Sequence, residues 1–220
     1  MVVFVISGCA TTSNQPAAVE RMYVISCGEN HVKDLARFTG QPADKDKAVV
    51  FSDYCYLIEH ARGWMLWDTG NADRLAAMPN GMQTPVATAY MKKPLAESLK
   101  ELGVAPAQIQ HFAMSHHHGD HDVFGDGSVV IKPTPGHTPG HQSLAVRLPK
   151  TGLVLLSGDM VHQSANWEAK RAPSFNFNVA RSVQTMQEVE TFMQRSGAKL
   201  WINHDMAQNA SIPKAPAFVE

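Results

Sequence analysis

Apolar and polar residues alternate along the chain in a way that predicts many short strands and two longer helices. Residues 49–60 and 64–67 are rich in β-branched and aromatic side chains and flank the turn Ala61-Arg62-Gly63, which predicts a β-hairpin. Helical spacing of apolar residues predicts helices over 94–102 and 179–195, the second with Asn178 as its N-cap. Further strands are predicted over residues 21–27, 109–114, 128–132, 142–148, 152–157 and 199–203. This order of elements predicts layered sheets covered by helices, an α/β fold.

Composition and charge narrow the class of protein. The chain has 220 residues, 44% hydrophobic and 18% charged, which predicts one globular domain with a substantial core. The formal net charge of −1 and the lack of a long basic run argue against a nucleic-acid partner. No stretch approaches the roughly 20 apolar residues of a membrane span. Cys27 and Cys55 lie on predicted strands, where we expect two buried thiols, with a disulfide as the alternative.

Residues 1–20 have the character of a targeting segment, which leaves residues 21–220 as the folded domain. The stretch up to Cys9 resembles the end of a bacterial lipoprotein signal peptide, in which small residues precede a cysteine that becomes lipidated. This resemblance implies a lipid anchor at Cys9 on the periplasmic side of a bacterial membrane, or secretion, with residues 10–20 as a tether. The stretch lacks an initial Lys or Arg and is short, so a frayed apolar N-terminus with a coincidental cysteine is the alternative.

The stretch Ser115-His116-His117-His118-Gly119-Asp120-His121 predicts a metal site. It follows a short apolar run, so its histidines come at the C-terminal end of a strand, where open α/β sheets place their chemistry. Residues two apart in an extended segment point the same way, so His116, His118 and Asp120 can converge while His117 points elsewhere. Imidazole and carboxylate ligands without thiolate suit zinc, while iron, manganese and cobalt stay open.

Three later stretches each place a residue of a metal-ligand type at the end of a predicted strand. A rigid turn rich in Pro and Gly presents His137 and His141 after the strand at 128–132. Asp159 follows the strand at 152–157, and His204 follows the strand at 199–203. We expect these residues to form one site together with the histidine-rich stretch.

With these motifs in this order, the chain resembles the metallo-β-lactamase superfamily over residues 22–206. The resemblance implies an αβ/βα sandwich that holds two divalent metal ions, with zinc favoured, between the edges of its sheets. The stretches Pro-Gly-His-Thr-Pro-Gly-His-Gln-Ser-Leu, Cys-Tyr-Leu-Ile and Trp-Asp-Thr-Gly are most similar to the N-acyl homoserine lactonase branch.

The resemblance also implies a role for each site residue. Asp120 would orient a hydroxide held between the metals and pass a proton to the leaving oxygen. Lactonases of this branch commonly have a tyrosine three residues after the bridging aspartate, where this chain has His162, so a hydrogen-bonding role at the substrate carbonyl is open to His162. Asp68 and His141 are expected to support the ligands. The implied metal ligands are His116, His118 and His137 for the first metal, Asp120, His121 and His204 for the second, and Asp159 as the bridge.

The connection between His121 and His137 is shorter than this resemblance leads us to expect. Members of the superfamily place several tens of residues there, forming a strand and a helix that continue the first sheet, whereas only residues 122–136 intervene here. A segment of that length spans up to about 50 Å when extended, so His121 and His137 can still share a site. Loss of the strand and helix would expose a strand edge and an apolar face, and a homodimer that fills the gap is one expected consequence.

Three functions are compatible with these observations. The resemblance implies a metal-dependent hydrolase that opens a small-molecule lactone, such as an N-acyl homoserine lactone, and so degrades a quorum signal. The first alternative is another hydrolase of this fold, acting on a thioester, a phosphoester or a β-lactam. The second alternative is a truncated remnant without turnover.

Overall fold

The computed structural model describes residues 18–116 and 121–220. It shows two sheets stacked face to face, with helices on their outer faces, which is the predicted αβ/βα sandwich. The lipidation site predicted at Cys9 and the ligands predicted at His118 and Asp120 lie outside the described residues. Within the described part of the chain, no helix combines the length and the apolar character needed to cross a membrane.

The first sheet comes from the N-terminal half of the chain. Its strands are β1 (Val19–Val32), β2 (Val49–His60), β3 (Gly63–Trp67), β4 (Met82–Gln83), β5 (Thr88–Tyr90) and β6 (Ile109–Ala113). They lie in the order β4-β5-β1-β2-β3-β6, in which β2 is antiparallel to β1 and β3, and β6 is parallel to β3. The same half contains helices α1 (Ala36–Thr39) and α2 (Leu95–Glu101), and Leu95 and Leu99 of α2 pack on the outer face of the sheet.

The second sheet comes from the C-terminal half. Its strands β7 (His121–Asp122), β8 (Val129–Pro133), β9 (Gln142–Leu148), β10 (Gly152–Leu156) and β11 (Lys199–Trp201) lie in the order β11-β10-β9-β8-β7. The helices of this half are α3 (Ser164–Glu168), α4 (Val179–Ser196) and α5 (Met206–Asn209). Helix α4 begins as predicted, since the side-chain oxygen of Asn178 accepts a hydrogen bond from the Arg181 N–H. It ends at Gly197, whose φ of 70° is the left-handed conformation that favours glycine.

The main core lies between the two sheets. Tyr56 and Trp67 of the first sheet face Leu144 and Leu156 of the second, and each of these side chains is at most 1% exposed. A second apolar cluster lies under α2, and a third lies between the second sheet and α4. Both faces of each sheet are therefore used, as in other layered α/β proteins.

The short connection after His121 closes one part of this core. The side chains of Val123 and Phe124 are 9% and 6% exposed and belong to the cluster between the sheets. The carboxylate of Asp122 accepts hydrogen bonds from the backbone N–H groups of Gly125, at 2.9 Å, and Gly127, at 2.8 Å. The connection is therefore a compact turn anchored by buried side chains.

Among the described strands, β6 pairs with β3 alone, so it forms an edge of the first sheet. Phe112 of β6 is aligned with Leu66 of β3, but Leu66 is 6% exposed and Phe112 is 55% exposed. Helix α2 covers Leu66 and does not reach as far as Phe112. An exposed strand edge with an uncovered apolar side chain is the result expected from the loss of a strand and helix at this position.

Cys27 and Cys55 form a disulfide between β1 and β2, where we had favoured two buried thiols. Cys55 is aligned with Ile25, so Cys27 lies diagonally across the strand pair. Diagonal neighbours are normally about 7 to 8 Å apart. A register shift between Ser26 and Gly28 accompanies a Cα separation of only 5.8 Å, which is within the range of a disulfide.

Candidate metal centre

The carboxylate of Asp159 lies at the centre of a cluster of histidines. Its Oδ2 atom is 3.4 Å from Nε2 of His116 and 3.3 Å from Nε2 of His137. Its Oδ1 atom is 2.7 Å from Nε2 of His204. These residues follow β6, β8, β10 and β11, so the C-terminal ends of strands from both sheets bring them together. The two oxygens of Asp159 therefore face different histidines: Oδ2 faces His116 and His137, and Oδ1 faces His204.

Two overlapping sets of residues have the composition and spacing of metal sites. In each set the candidate ligand atoms lie within 4.8 Å of one another, and Asp159 belongs to both. One set is His116, His137 and Asp159, and the other is Asp159, His162 and His204. The structure thus brings four of the predicted ligands together and adds His162, for which we had considered only a hydrogen-bonding role.

Hydrogen bonds to the protein orient three of these histidines. Nδ1 of His137 is 3.0 Å from Oδ1 of Asn176, and Nδ1 of His204 is 2.6 Å from the carbonyl oxygen of Ser52. Because these oxygens only accept, Nδ1 carries a proton in both rings, so Nε2, the atom that faces Asp159, is the nitrogen through which each ring would bind a metal. Nδ1 of His116 is likewise 2.9 Å from Oγ of Ser115. Imidazoles held in this way beside a carboxylate fit a divalent metal such as zinc.

Three further residues fix the backbone of the centre. Oδ1 of Asp68 accepts a hydrogen bond from the Ser115 N–H at 2.7 Å, immediately before His116. Nε2 of the buried His141 accepts a hydrogen bond from the Asp159 N–H at 2.8 Å. At Gly158, whose φ is 54°, an added Cβ would lie 2.8 Å from Cβ of Ser115 and 2.9 Å from Nε2 of His141. Asp68 and His141 have the supporting positions that we expected, and the close approach of the loops requires glycine at 158.

Burial and charge shift the pKa values within the centre. Burial alone would lower the pKa of His204, but the adjacent Asp159 carboxylate outweighs it and raises this pKa to about 9. Although burial opposes ionisation, His204 and His116 hold the pKa of Asp159 well below its usual range. Burial lowers the pKa of His162, and that of His141, to about 3. Burial also raises the pKa of Asp68 to about 6.

His121 lies apart from these two sets, in contrast to the ligand role that the motif implied. It is exposed and begins the edge strand β7, where it is aligned with Ile131 of β8. The compact turn at Asp122 follows directly, so the short connection holds His121 in the second sheet. His118 and Asp120 lie outside the described residues, and their predicted ligand roles stay predictions.

A cavity of about 340 Å³ opens beside the candidate metal ligands. Phe38, Phe51, Met114 and Phe175 contribute apolar side chains to its wall. A volume of this size, with apolar walls and a few convergent polar groups, is typical of small-molecule sites. The sequence analysis did not include Phe38 and Phe51 in the site. Phe51 lies in an apolar pattern that predicts a strand, and such a pattern does not indicate that the strand lies beside a metal centre.

The fold and this centre together define a metal-dependent hydrolase of the metallo-β-lactamase fold. A family model described as the metallo-beta-lactamase superfamily matches residues 48–123, which extend from β2 through the histidine-rich stretch. The chain is 26% identical to N-acyl homoserine lactonase AttM of Azorhizobium caulinodans, over 91% of this chain and 98% of that protein. It is 22% identical to an N-acyl homoserine lactonase of Bacillus cereus, over 76% of this chain and 86% of that protein.

Solved structures of lactonases have the same fold. An N-acyl homoserine lactone hydrolase with N-hexanoyl-L-homoserine bound at its catalytic metal centre matches with a TM-score of 0.78 and 20% identity, covering 92% of this chain and 100% of that one. The dizinc quorum-quenching lactonase AidC matches with a TM-score of 0.60 and 13% identity, covering 92% and 97%. The chain is therefore lactonase-like in its fold.

The alignment with AttM also bears on the short connection. It spans 263 positions, whereas 91% of the 220 residues is about 200, so about 60 aligned positions have no residue from this chain (263 minus 200). The family match stops at residue 123, just before the compact turn. Both observations agree with an internal segment that is absent after His121.

Proposed function

We propose that this protein is a metal-dependent lactonase that opens the ring of N-acyl homoserine lactones. The observation that carries the proposal is the position of Asp159, whose two oxygens face two histidine groups beside a cavity with apolar walls. A paired metal centre suits hydrolysis of a cyclic ester, and apolar walls suit an acyl chain. The similarity to proteins named as N-acyl homoserine lactonases supports this choice of substrate.

The proposal assigns a separate role in metal binding to each of these residues. His116 and His137 would hold one divalent metal and His204 the other, with Asp159 between them. Such a pair, when bound, supplies a nucleophile at neutral pH and polarises the substrate carbonyl. Asn176 and the Ser52 carbonyl accept from Nδ1 of His137 and His204, so each ring would bind its metal through Nε2.

Two further groups complete the proposed mechanism. Asp120 is proposed to carry the proton that passes to the leaving oxygen of the opened ring. Phe38 and Phe51 would exclude water around the acyl chain, since both line the cavity and their rings pack edge to face with centroids 4.8 Å apart. Exclusion of water strengthens the electrostatic interactions that the reacting groups make.

The test is a substrate panel on protein loaded with zinc. Ring opening releases a carboxylic acid, so a pH indicator reports it for homoserine lactones with short and long acyl chains. The same protein is offered a β-lactam, a thioester and a phosphodiester. We expect lactone opening that His116→Ala abolishes and His31→Ala leaves unchanged, because His31 is an exposed histidine that does not line the cavity. Turnover of one of the other three substrates in place of lactones would replace the proposal, and no turnover at all would favour the inactive remnant.

We further propose that the domain works outside the cytoplasm, attached to a membrane through Cys9. The disulfide between Cys27 and Cys55 supports an oxidising compartment. Metabolic labelling with a lipid analogue tests the anchor, and we expect label in the parent protein and none in Cys9→Ser. Equal labelling of the two would exclude this anchor.

A further inference from the structure

We propose that His162 is a ligand of the second metal and takes the place that the sequence motif gives to His121. This inference rests on the metal dependence of the proposed function and does not depend on its lactone substrate. His162 lies three residues after Asp159, just beyond the short turn that positions that carboxylate.

The position of His162 relative to Asp159 and His204 is the first observation. One candidate ligand atom from each of these residues lies within 4.8 Å of those from the other two. The ring of His162 stacks on the ring of His204, with centroids 5.2 Å apart and planes inclined by 14°. Two imidazoles and a carboxylate in this arrangement give three protein donors with a fourth position open, as in catalytic zinc sites.

The second observation is a buried polar atom without a partner. Nδ1 of His162 makes no hydrogen bond to any described residue, although the side chain is 2% exposed. A buried polar atom left unpaired destabilises the folded protein, so such atoms are uncommon without a ligand or a water beside them. His141 is equally buried, but its Nε2 accepts a hydrogen bond from the Asp159 N–H and its Nδ1 binds Thr134. Burial alone therefore does not leave a histidine of this region unsatisfied.

The aromatic neighbours of His162 offer no alternative partner. The ring centroid of Phe38 is 5.3 Å away, that of Phe51 is 6.0 Å away, and that of Phe175 is 6.4 Å away. These apolar rings restrict the imidazole and cannot accept or donate a conventional hydrogen bond. Among the described residues, Asp159, His137 and His204 of the candidate centre carry polar groups close to this ring, so a metal held with Asp159 and His204 would give the imidazole a partner.

His121 does not compete for this role in the described structure, because it is exposed on β7 and held in the second sheet. The alternative role for His162 is a hydrogen bond to the substrate carbonyl, which the resemblance left open. The two roles differ in one measurable respect, because only a ligand changes the properties of the bound metal before substrate is added.

The direct test replaces each candidate histidine by cysteine in the full chain loaded with cobalt(II). A thiolate bound to cobalt gives an intense charge-transfer absorption in the near ultraviolet. We expect this absorption in His162→Cys and expect none in the parent protein or in His121→Cys. The reverse pattern, or no new absorption in a folded His162→Cys protein, would overturn the inference.

A second pair of variants guards against a folding defect. His162→Gln and His121→Gln are titrated with zinc in competition with a chromogenic chelator, and thermal melting of the metal-free proteins confirms that both are folded. We expect the second zinc to bind at least about tenfold more weakly in His162→Gln and as in the parent protein in His121→Gln. Unchanged zinc affinity in His162→Gln would identify a hydrogen-bonding role instead. Two bound metals with the cobalt signature but no lactone opening would reject the proposed substrate and leave this ligand assignment intact.

Discussion

The aromatic ring of Phe124 stacks on the imidazole of His60, with ring centroids 3.8 Å apart and planes inclined by 8°. His60 ends β2, and its Nε2 donates a hydrogen bond to Oδ2 of Asp126 at 2.9 Å, while the side chain of Arg62 binds the carbonyl oxygen of Phe124. These contacts join the short connection after His121 to the β2–β3 turn. A segment shortened in this way can therefore still seal the core between the sheets.

Phe124→Ala should destabilise the protein far more than Phe112→Ala. Phe124 is 6% exposed and packs in the core, whereas Phe112 is 55% exposed on β6. Removal of a buried phenylalanine ring costs about 3 to 5 kcal/mol, and an exposed substitution costs about 0.5 kcal/mol. Urea denaturation of the two variants measures the difference. Similar losses in both would show that the connection does not carry this part of the core.

The exposed edge at β6 should cause self-association that depends on Phe112. An unpaired edge strand with an apolar side chain favours pairing with another chain, and a charged residue on that edge opposes it. We expect the parent protein to form dimers or larger species as its concentration rises, and Phe112→Lys to remain monomeric. Size-exclusion chromatography with light scattering measures both masses. A parent protein that is monomeric at every concentration would remove the basis for a homodimer.

Asp159→Asn should reduce the metal content of the protein more than any single histidine variant. Its carboxylate belongs to both ligand sets, whereas each histidine belongs to one. An amide is neutral and is a weaker ligand for a divalent metal than a carboxylate. Elemental analysis after dialysis should give about two metal ions per chain for the parent protein, about one for His137→Ala and close to none for Asp159→Asn. Two metals retained in Asp159→Asn would show that this carboxylate does not bridge them.

The stability of the metal-free protein should depend on pH through Asp68. Burial raises the pKa of Asp68 from 3.8 to about 6, so the folded chain binds this proton more tightly than the unfolded chain. The contribution of Asp68 to stability is therefore largest below its unfolded pKa and is lost as the pH rises through about 6. Asp68→Asn does not titrate, and its side-chain oxygen can still accept from the Ser115 N–H.

Denaturation of both proteins between about pH 4 and pH 7 tests this linkage. A shift from 3.8 to about 6 corresponds to at most about 3 kcal/mol. As the pH rises across this range, the free energy of unfolding of the parent protein should fall by up to this amount relative to that of Asp68→Asn. Comparison with the variant removes the contributions of the other titrating groups, which the two proteins share. A constant difference between the two curves would show that the pKa of Asp68 is not raised.

The regular elements were predictable because their signals are local. Strand β2 has the predicted bounds, and α4 is marked by its capping residue Asn178 and by Gly197. Strand β1 was predicted to end at Cys27 and continues to Val32, because its last residues pair with both β2 and β5. That pairing depends on residues far away in the sequence, so the pattern of residues 29–32 does not reveal it.

The candidate site was predictable to a similar degree. His116, His137, Asp159 and His204 meet as predicted, since each follows a strand whose position the fold determines. His121 lies apart from these residues in the described structure, because the compact turn after it keeps it in β7, and its predicted ligand role stays a prediction. The proximity of His162 to His204 is a tertiary contact, and the only local clue was its position three residues after Asp159.

The disulfide has a practical consequence for the preparation of this protein. Cys27 and Cys55 are fully buried, and the backbone oxygen of Cys27 accepts a hydrogen bond from the Asn71 N–H, in the loop that begins with Asp68. Dithiol reductants added during purification chelate divalent metals and also break disulfides. A sample handled in such buffers can lose bound metal and the disulfide together. A low metal content would then result from the buffer and would not measure the metal affinity of the protein. Free thiols should therefore be counted on the same sample as its metals.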